Sequence, residues 1–424
     1  MSNLVEITGV IPVVGRPQVC GSKTFHHVKL IERPPHMTPN ATWQLPQNVD
    51  LDKMAANGPL NHDQLNSFFE NGYLFIEKFY DNSYLEECEN DVSLMISNLA
   101  HRLFKAGKIK MLYDDLGWTQ RLLRMREDFE DAPIVLIKGG VLPVSMQKMF
   151  SEQRILDIAA QLGIGPEISL NPAWNLRGKM PAHEETVVPW HQDNSYWEPR
   201  VWDEKVLTVW AALVDAFPEN GCMQMVKGGH KKGVTADHTI GSTTSTWYTE
   251  VSEETVAKQL FDKENLSEED KITIPAKAGS ILIFPGLTPH RSLNSSSDKI
   301  RWSVDFRLHA KTAKRPGKSE NDWFYGLKDA LVVRDPSVDN FVPDWASWAQ
   351  IDRTAVQDAA IGGEIGELKE AFDPVVTGPW MDLWDIEADS RVGKEGKVNK
   401  HVERYLETDE SSRDVQNYIS QNNW

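Results

Sequence analysis

Cysteine is scarce in this chain. Three occur in 424 residues, Cys20, Cys88 and Cys222, at spacings that match neither a disulfide framework nor a zinc site, so a reducing compartment is expected. No apolar run approaches the ~20 residues that cross a bilayer. The start, "MSNLVEITGV", lacks the basic stretch and apolar core of a secretory signal, and the end, "SQNNW", is not the Ser-Lys-Leu tripeptide. A cytoplasmic location with no membrane partner is the expectation. Positive charge is also short: the formal net charge is -17 and the pI near 5.2. A nucleic-acid backbone or an anionic membrane needs a basic face, so neither is expected as a partner. No internal repeat is visible. What is present is an ordinary globular composition, 40% hydrophobic and 25% charged, long enough for roughly two to three domains at ~150 residues each.

Residues 1–60 hold seven prolines, too dense for regular helix or central strand, and read as an extended arm around the main domain. Leu65, Phe68 and Phe69 give a short amphipathic helix closed by Gly72, and Tyr73 to Phe79 reads as strand. Residues 81–106 and the stretch "FSEQRILDIAAQLGIG" are two more helices. After residue 170 the pattern turns to short strands punctuated by Gly, Pro and Asn, as in a β-sandwich or barrel. In "IRWSVDFRLH", residues 300–309, Ile300, Trp302, Val304, Phe306 and Leu308 alternate with Arg301, Ser303, Asp305, Arg307 and His309. One face must be packed; the other is polar enough to line a pocket. The expected division is an arm over 1–60, a catalytic core over 61–310 (helical part 61–165, β part 166–310) and an acidic, Trp-rich extension over 311–424 packing on the core. Within the extension a helix is expected around "GGEIGELKEAFD" and a polar tail from "SSRDVQ" onward.

The chemistry centres on "PWHQDNSYW", residues 189–197. On a strand, side chains at i and i+2 share a face, so His191 and Asp193 can reach one metal ion together. A third ligand is offered by His290 in "GSILIFPGLTPHRSLN", after a β run and a Pro-Gly turn. Two imidazoles and one carboxylate on a face leave three positions free, the arrangement of non-haem Fe(II) oxygenases. Eleven residues on, Arg301 offers a planar two-pronged donor suited to the distal carboxylate of 2-oxoglutarate, and Ser292 could add a hydroxyl.

The ordered segments "GYLFIEKF", "LRGKMP", "PWHQDNSYW", "VWAAL", "ENGCMQMVKGGHKKG", "AGSILIFPGLTPHRS" and "RWSVDFR" resemble the phytanoyl-CoA dioxygenase family of Fe(II)/2-oxoglutarate oxygenases over about residues 60–310. The resemblance implies a mainly β fold with flanking helices, a double-stranded β-helix (jelly roll, cupin-like). It implies His191, Asp193 and His290 as iron ligands and Arg301 with Ser292 as the 2-oxoglutarate site, with Trp210 matching a family tryptophan beside the cosubstrate. The expected cofactor set is Fe(II), 2-oxoglutarate and O2, acting on an unactivated C–H bond of a small organic substrate. Hydroxylation is the default outcome, with desaturation or cyclisation as alternatives. Halogenation is disfavoured because it needs the ligand position that Asp193 fills. A cupin-type metal enzyme without 2-oxoglutarate and a non-enzymatic jelly-roll module are the competing classes; Arg301 with Ser292 counts against the first, and the intact triad plus Arg301 against the second.

Other residues are weighed against plainer roles. His230 in "GGHKKG" reads as a surface-turn landmark, not a ligand. His183, Glu184 and Glu185 read as a solvated loop, and Trp345 and Trp348 as packing. Asn194, Tyr196 and Trp197 follow the ligands and are candidate substrate contacts. Arg307 and His309 share the Arg301 face, and Arg307 is the further substrate candidate.

Overall fold

The computed structural model describes residues 42, 43, 45, 50–138, 142–171, 173–197, 199–241, 245–312, 330–348, 372–377, 379–384, 386 and 398–407. The expected arm up to residue 41, the polar tail at 411–424 and all but the last two residues of the helix expected at 362–373 lie outside them. The described elements run α1 (Leu51–Ala56), α2 (His62–Asn71), β1 (Leu74–Ile76), α3 (Asn82–Lys105), α4 (Arg121–Asp128), α5 (Ala132–Lys138), α6 (Val144–Phe150) and α7 (Gln153–Gln161). There follow β2 (Ile168–Leu170), β3 (Asn175–Lys179), β4 (Val206–Ala212), β5 (Met223–Val226), β6 (Thr239–Ile240), β7 (Thr249–Glu250) and α8 (Glu253–Phe261). The last strands are β8 (Lys271–Ile274), β9 (Ile281–Pro285), β10 (His290–Ser292), β11 (Arg301–Ala310) and β12 (Leu331–Arg334).

Local chemistry sets the helix ends. Asn61 and Gln64 form a reciprocal capping box at the start of α2, and Gly72 closes it at φ 78, a left-handed conformation that glycine enters without a Cβ penalty. A side chain there would also meet the His230 ring. The single helix expected from "FSEQRILDIAAQLGIG" is the C-terminal half of a pair, because Glu152 caps a new helix start and separates α6 from α7. The stretch between α3 and α6, left unread in the sequence, holds α4 and α5.

All strand pairing is antiparallel. A larger sheet runs β1-β9-β4-β11-β2-β12 with β3 also on β11, a smaller one runs β10-β5-β8, and β6 pairs β7. The fold is a double-stranded β-helix with flanking helices. Between the two sheets lies one apolar cluster, Trp210, Ala212, Leu282 and Phe284 from the larger sheet against Met223, Met225 and Ile274 from the smaller. The outer face of the larger sheet packs under the helices: Trp302, Val304, Phe306 and Leu308 join Phe68, Ile96, Met149 and Phe150 in the main core. Hence β11 is buried on both faces, apolar toward the helices and polar toward the second sheet.

The chain beyond 310 adds the edge strand β12 to β2. It also contributes Val376, Met381, Trp384, Val402 and Tyr405 to a cluster with Ile134, Trp247 and Tyr248. Trp345 and Trp348 stack edge to face, 6.0 Å apart, and pack against the main core. Before residue 60, Trp43 is fully buried against Phe68. No helix among the described residues is long and apolar enough to cross a membrane.

Phe306 is the joint between the sheet and the helical layer, with its ring 4.5 Å from that of Phe150 and no exposure. Truncating a buried phenylalanine costs ~3–5 kcal/mol, out of ~5–15 kcal/mol for a whole domain. Phe306→Ala is therefore expected to lower the denaturant midpoint sharply, while a surface control such as Leu94→Ala changes it little; equal midpoints would contradict this packing role.

Candidate active site

His191 and His290 face each other across an isolated antiparallel bridge at the β10 edge of the smaller sheet, N–H to C=O at 3.0 and 2.9 Å, and their rings are 4.1 Å apart. In each ring Nδ1 lies 2.9 Å from a backbone carbonyl two residues back, Pro189 for one and Thr288 for the other. A carbonyl only accepts, so Nδ1 carries the proton and Nε2 keeps its lone pair for a metal. Asp193 Oδ1 lies 3.4 Å from His191 Nε2 and 3.8 Å from His290 Nε2. The three donor atoms fall within 4.8 Å of one another, all buried. A nitrogen–nitrogen–carboxylate set of this kind, with tautomers already chosen, fits a divalent iron ion.

The strand expected through residues 189–197 ends at His191. Asp193–Tyr196 is a 3-10 turn, because Ser195 folds back on the Gln192 carbonyl through both its amide and its hydroxyl. Gln192 is itself locked: its side chain bonds Val234, Ala236 and Leu287, and its amide donates to His238 Nε2. The ligand pair thus meets through a pinned turn, not through strand alternation.

Asp193 is fixed from behind. Thr208 Oγ1 donates to Oδ2 at 2.5 Å, and Arg307 bonds both carboxylate oxygens at 3.0–3.2 Å. Thr208 and Arg307 are cross-strand partners on β4 and β11. Burial alone would raise the Asp193 carboxyl, but Arg307 and the two imidazoles hold it well below the usual range. Arg307 also pairs with Asp305, which accepts from Arg177 Nε at 2.8 Å and Asn175. Arg307, expected to meet substrate, therefore spends its guanidinium on the carboxylates of Asp193 and Asp305, though it still lines the cavity.

That cavity holds about 780 Å³ of atom-free space including its mouth. Arg301, Ser292 and Trp210 line it beside the two imidazoles. The Arg301 guanidinium lies 5.6 Å from the Trp210 ring, donates to the Gly221 carbonyl and to Ser303, and leaves its buried Nε unpartnered. Burial pulls it down to about 10. Ser292 Oγ accepts from Lys179 Nζ at 2.9 Å. Lys179 is a cavity residue that the sequence reading passed over, although "NLRGK" on β3 puts Arg177 and Lys179 on one face at i and i+2.

Asn194, Tyr196 and Trp197 do not line this cavity. Asn194 lies against Gly286, the Tyr196 hydroxyl receives the Thr249 amide, and Trp197 packs with Val201 and Val206. The loop before the metal residues is only partly solvated: Glu184 is exposed, but His183 is buried, and Glu185 reaches the cavity with Lys400 at 2.9 Å and His401 at 3.2 Å. Although burial opposes it, these partners hold the Glu185 carboxyl at about 2. His230 is likewise buried, its Nε2 on the Phe69 carbonyl, and His309 is buried with its Nδ1 on the Ala310 carbonyl.

A buried two-imidazole, one-carboxylate face inside a double-stranded β-helix belongs to the 2-oxoglutarate-dependent non-haem iron dioxygenases. The phytanoyl-CoA dioxygenase family model matches residues 68–303, and the chain belongs to that family. It is 24% identical over 303 residues to a phytanoyl-CoA dioxygenase of Arabidopsis thaliana, covering 65% of this chain and 97% of that one. A phytanoyl-CoA dioxygenase domain-containing protein 1 homolog of Caenorhabditis briggsae is 26% identical over 115 residues, 27% of this chain and 38% of that one. Among solved structures, a non-heme monooxygenase, ThoJ, aligns with a TM-score of 0.43 at 16% identity, over 65% of this chain and 85% of that one. The protein is an enzyme whose cofactor is iron(II) and whose cosubstrates are 2-oxoglutarate and O2.

Removing a ligand and removing its support have different signatures. His191→Ala is expected to abolish tight metal binding with little change in melting temperature, since the imidazole lines a cavity. Arg307→Leu keeps all three donor atoms but leaves Thr208 alone to hold Asp193 from behind and takes one of two cations from Asp305; metal affinity should fall roughly ten- to a hundredfold and the melting temperature should drop as well. Metal content after dialysis, with thermal melting by circular dichroism, checks both.

Proposed function

We propose that His191, Asp193 and His290 hold the iron, that Arg301 with Ser292 and Trp210 receives 2-oxoglutarate, and that the reaction hydroxylates an unactivated C–H bond of a small organic substrate. The observation that carries this reading is Arg301, a fully buried guanidinium in the metal cavity that forms no ion pair among the described residues. A buried charge without a counter-charge costs several kcal/mol, and a ligand carboxylate supplies the missing partner. We read 61–310 as the catalytic unit and the chain after 311 as an extension packed on it.

When bound, the iron with O2 and 2-oxoglutarate supplies the oxidising power, and the cosubstrate leaves as succinate and carbon dioxide. The chain does the placing. Pro189 and Thr288 carbonyls keep both Nε2 atoms deprotonated, and Thr208 and Arg307 hold the carboxylate in place. Trp210 and Phe284 line the cavity and limit water at the reacting centre. Arg301 sets the depth at which a five-carbon diacid sits by fixing its far end.

The direct test is succinate release from 2-oxoglutarate with Fe(II) under air, against a panel of small acids and amines; product mass separates a gain of one oxygen from loss of two hydrogens. Arg301→Leu is expected to weaken 2-oxoglutarate binding on the order of a hundredfold or more, from ~3–5 kcal/mol for a broken buried pair. Iron content should stay normal, and Arg301→Lys should recover only part. Near-native affinity in the Leu variant would remove Arg301 from the site.

A further inference from the structure

The helix and loop wall of the cavity carries a carboxylate to which the chemistry above gives no task. Glu185 lines the space with Leu122, Pro133, Ile134, Ile137 and Val188. Lys400 Nζ at 2.9 Å and His401 Nε2 at 3.2 Å both meet its Oε1, and Oε2 has no hydrogen-bond partner among the described residues. The other carboxylate of the lining, Asp305, has both oxygens bonded, by Arg307 and Asn175 on one and Arg177 on the other. The His401 tautomer is set by the chain after 310: Nδ1 receives the Val376 amide at 2.9 Å, so the ring proton sits on Nε2 and is donated to Glu185. Burial keeps this imidazole below its ordinary range, so it donates as a neutral ring. Lys400 is shared, because it also bonds Asp131 Oδ1 at 2.6 Å. Two carboxylates divide one ammonium, and the trio keeps one negative charge in excess. Burial raises the Glu185 carboxyl, yet His401 and Lys400 hold it at about 2. Its backbone is fixed too, with the Tyr248 hydroxyl donating to the Glu185 carbonyl at 3.2 Å.

We propose that Glu185 Oε2 binds a protonated amine of the substrate, and that the substrate class is an aliphatic amine whose carbon frame lies against Leu122, Ile134 and Ile137. The proposal deepens the functional reading above and rests on it for the place of the iron in the same cavity. Lys400 and His401 decide which oxygen is spent inside the protein, and so leave the second one for a ligand. An apolar wall selects carbon. An ionised carboxylate with a free oxygen favours a charged N–H donor over a hydroxyl, because both partners of the bond then carry charge. A substrate acid would meet like charge at Glu185. The chain after 310 is thereby part of the specificity device, through two side chains of the helix Lys400–Glu407.

The test compares three probes of equal carbon number, hexylamine, 1-hexanol and hexanoate, titrated by calorimetry into the full chain loaded with Fe(II) and 2-oxoglutarate under nitrogen. Wild type is expected to bind the amine roughly tenfold or more above the alcohol, with hexanoate weakest. Glu185→Gln keeps an acceptor for Lys400 and His401 and removes the charge. It should lose roughly ten- to a hundredfold in amine affinity, the range for a hydrogen bond to a charged group. Its affinity for the alcohol, its iron content and its uptake of 2-oxoglutarate should not change. Should the Gln variant fail to fold, the order of the three probes on wild type decides alone. Equal binding of amine and alcohol by wild type, or no amine binding, overturns the proposal and leaves the cosubstrate reading intact. So does an amine affinity unchanged in Glu185→Gln, the result for an amine held by the iron. Failure of iron-loaded wild type to take up 2-oxoglutarate overturns the cosubstrate reading instead, and the same three titrations on the iron-loaded chain then decide the role of Glu185.

Discussion

Asp305 is the charge around which the site is built. It lies buried on β11 at the wall of the cavity, and it is shared by Arg177, Arg307 and Asn175. Arg177 and Arg307, with the Asn175 side chain, hold its carboxyl at about 2 against the opposing effect of burial. Without Asp305, Arg307 would have to choose between Asp193 and nothing, and Arg177 would be left with only the Tyr248 hydroxyl at 3.5 Å. Because Asp305 anchors Arg307, the carboxylate of Asp193 is held to a strand that is itself clamped by three neighbours, β2, β3 and β4. The metal face inherits the rigidity of the central strand, and placement of this kind is what a catalytic site needs from its fold.

The same ladder explains an asymmetry along β11. At Asp305 and Arg307 the charges are matched inside the protein. Four residues earlier, Arg301 faces Lys179 with no carboxylate between them. One stretch of strand is therefore charge-matched among the described residues, and the other is not.

The fold was legible where its signal was local. Alternation over residues 300–309 reports two faces of a buried strand without reference to anything else, and His290, at the start of β10, follows a Pro-Gly turn that marks it. The Gly72 cap and the extent of α3 were readable for the same reason. What stayed hidden depends on contacts distant in sequence. Glu185 reads as solvated until Lys400 and His401, more than 200 residues later, come to it. Lys179 in "NLRGK" carries no local sign of burial, and the pairing of β3 with β11 encloses it. The turn at Asp193–Tyr196 was misread as strand because aromatic residues favour strands, while the Ser195 hydroxyl and the locked Gln192 decide otherwise. Asn194, Tyr196 and Trp197 left the cavity with that turn.

The two ends of the cavity come from different kinds of element, and this sets what each can tolerate. One end is made of β3, β4, β10 and β11, where a one-residue slip would turn every chemistry-bearing side chain to the opposite face. The other wall is made by Leu122 of α4, Pro133, Ile134 and Ile137 of α5, and the 185–188 loop. That wall is backed by the chain after 310: Lys400 ties both Asp131 and Glu185, and Trp384 donates to the carbonyl of Ser195 behind the metal turn. Helices and loops pack through side chains and shift by small amounts without breaking a ladder. Changes in that wall reshape the space opposite the metal while the strands keep the reacting geometry fixed. The chain beyond 310 is therefore joined to the site at both levels: β12 extends the sheet that carries the reaction, and Lys400 and His401 hold the loop that bounds the cavity.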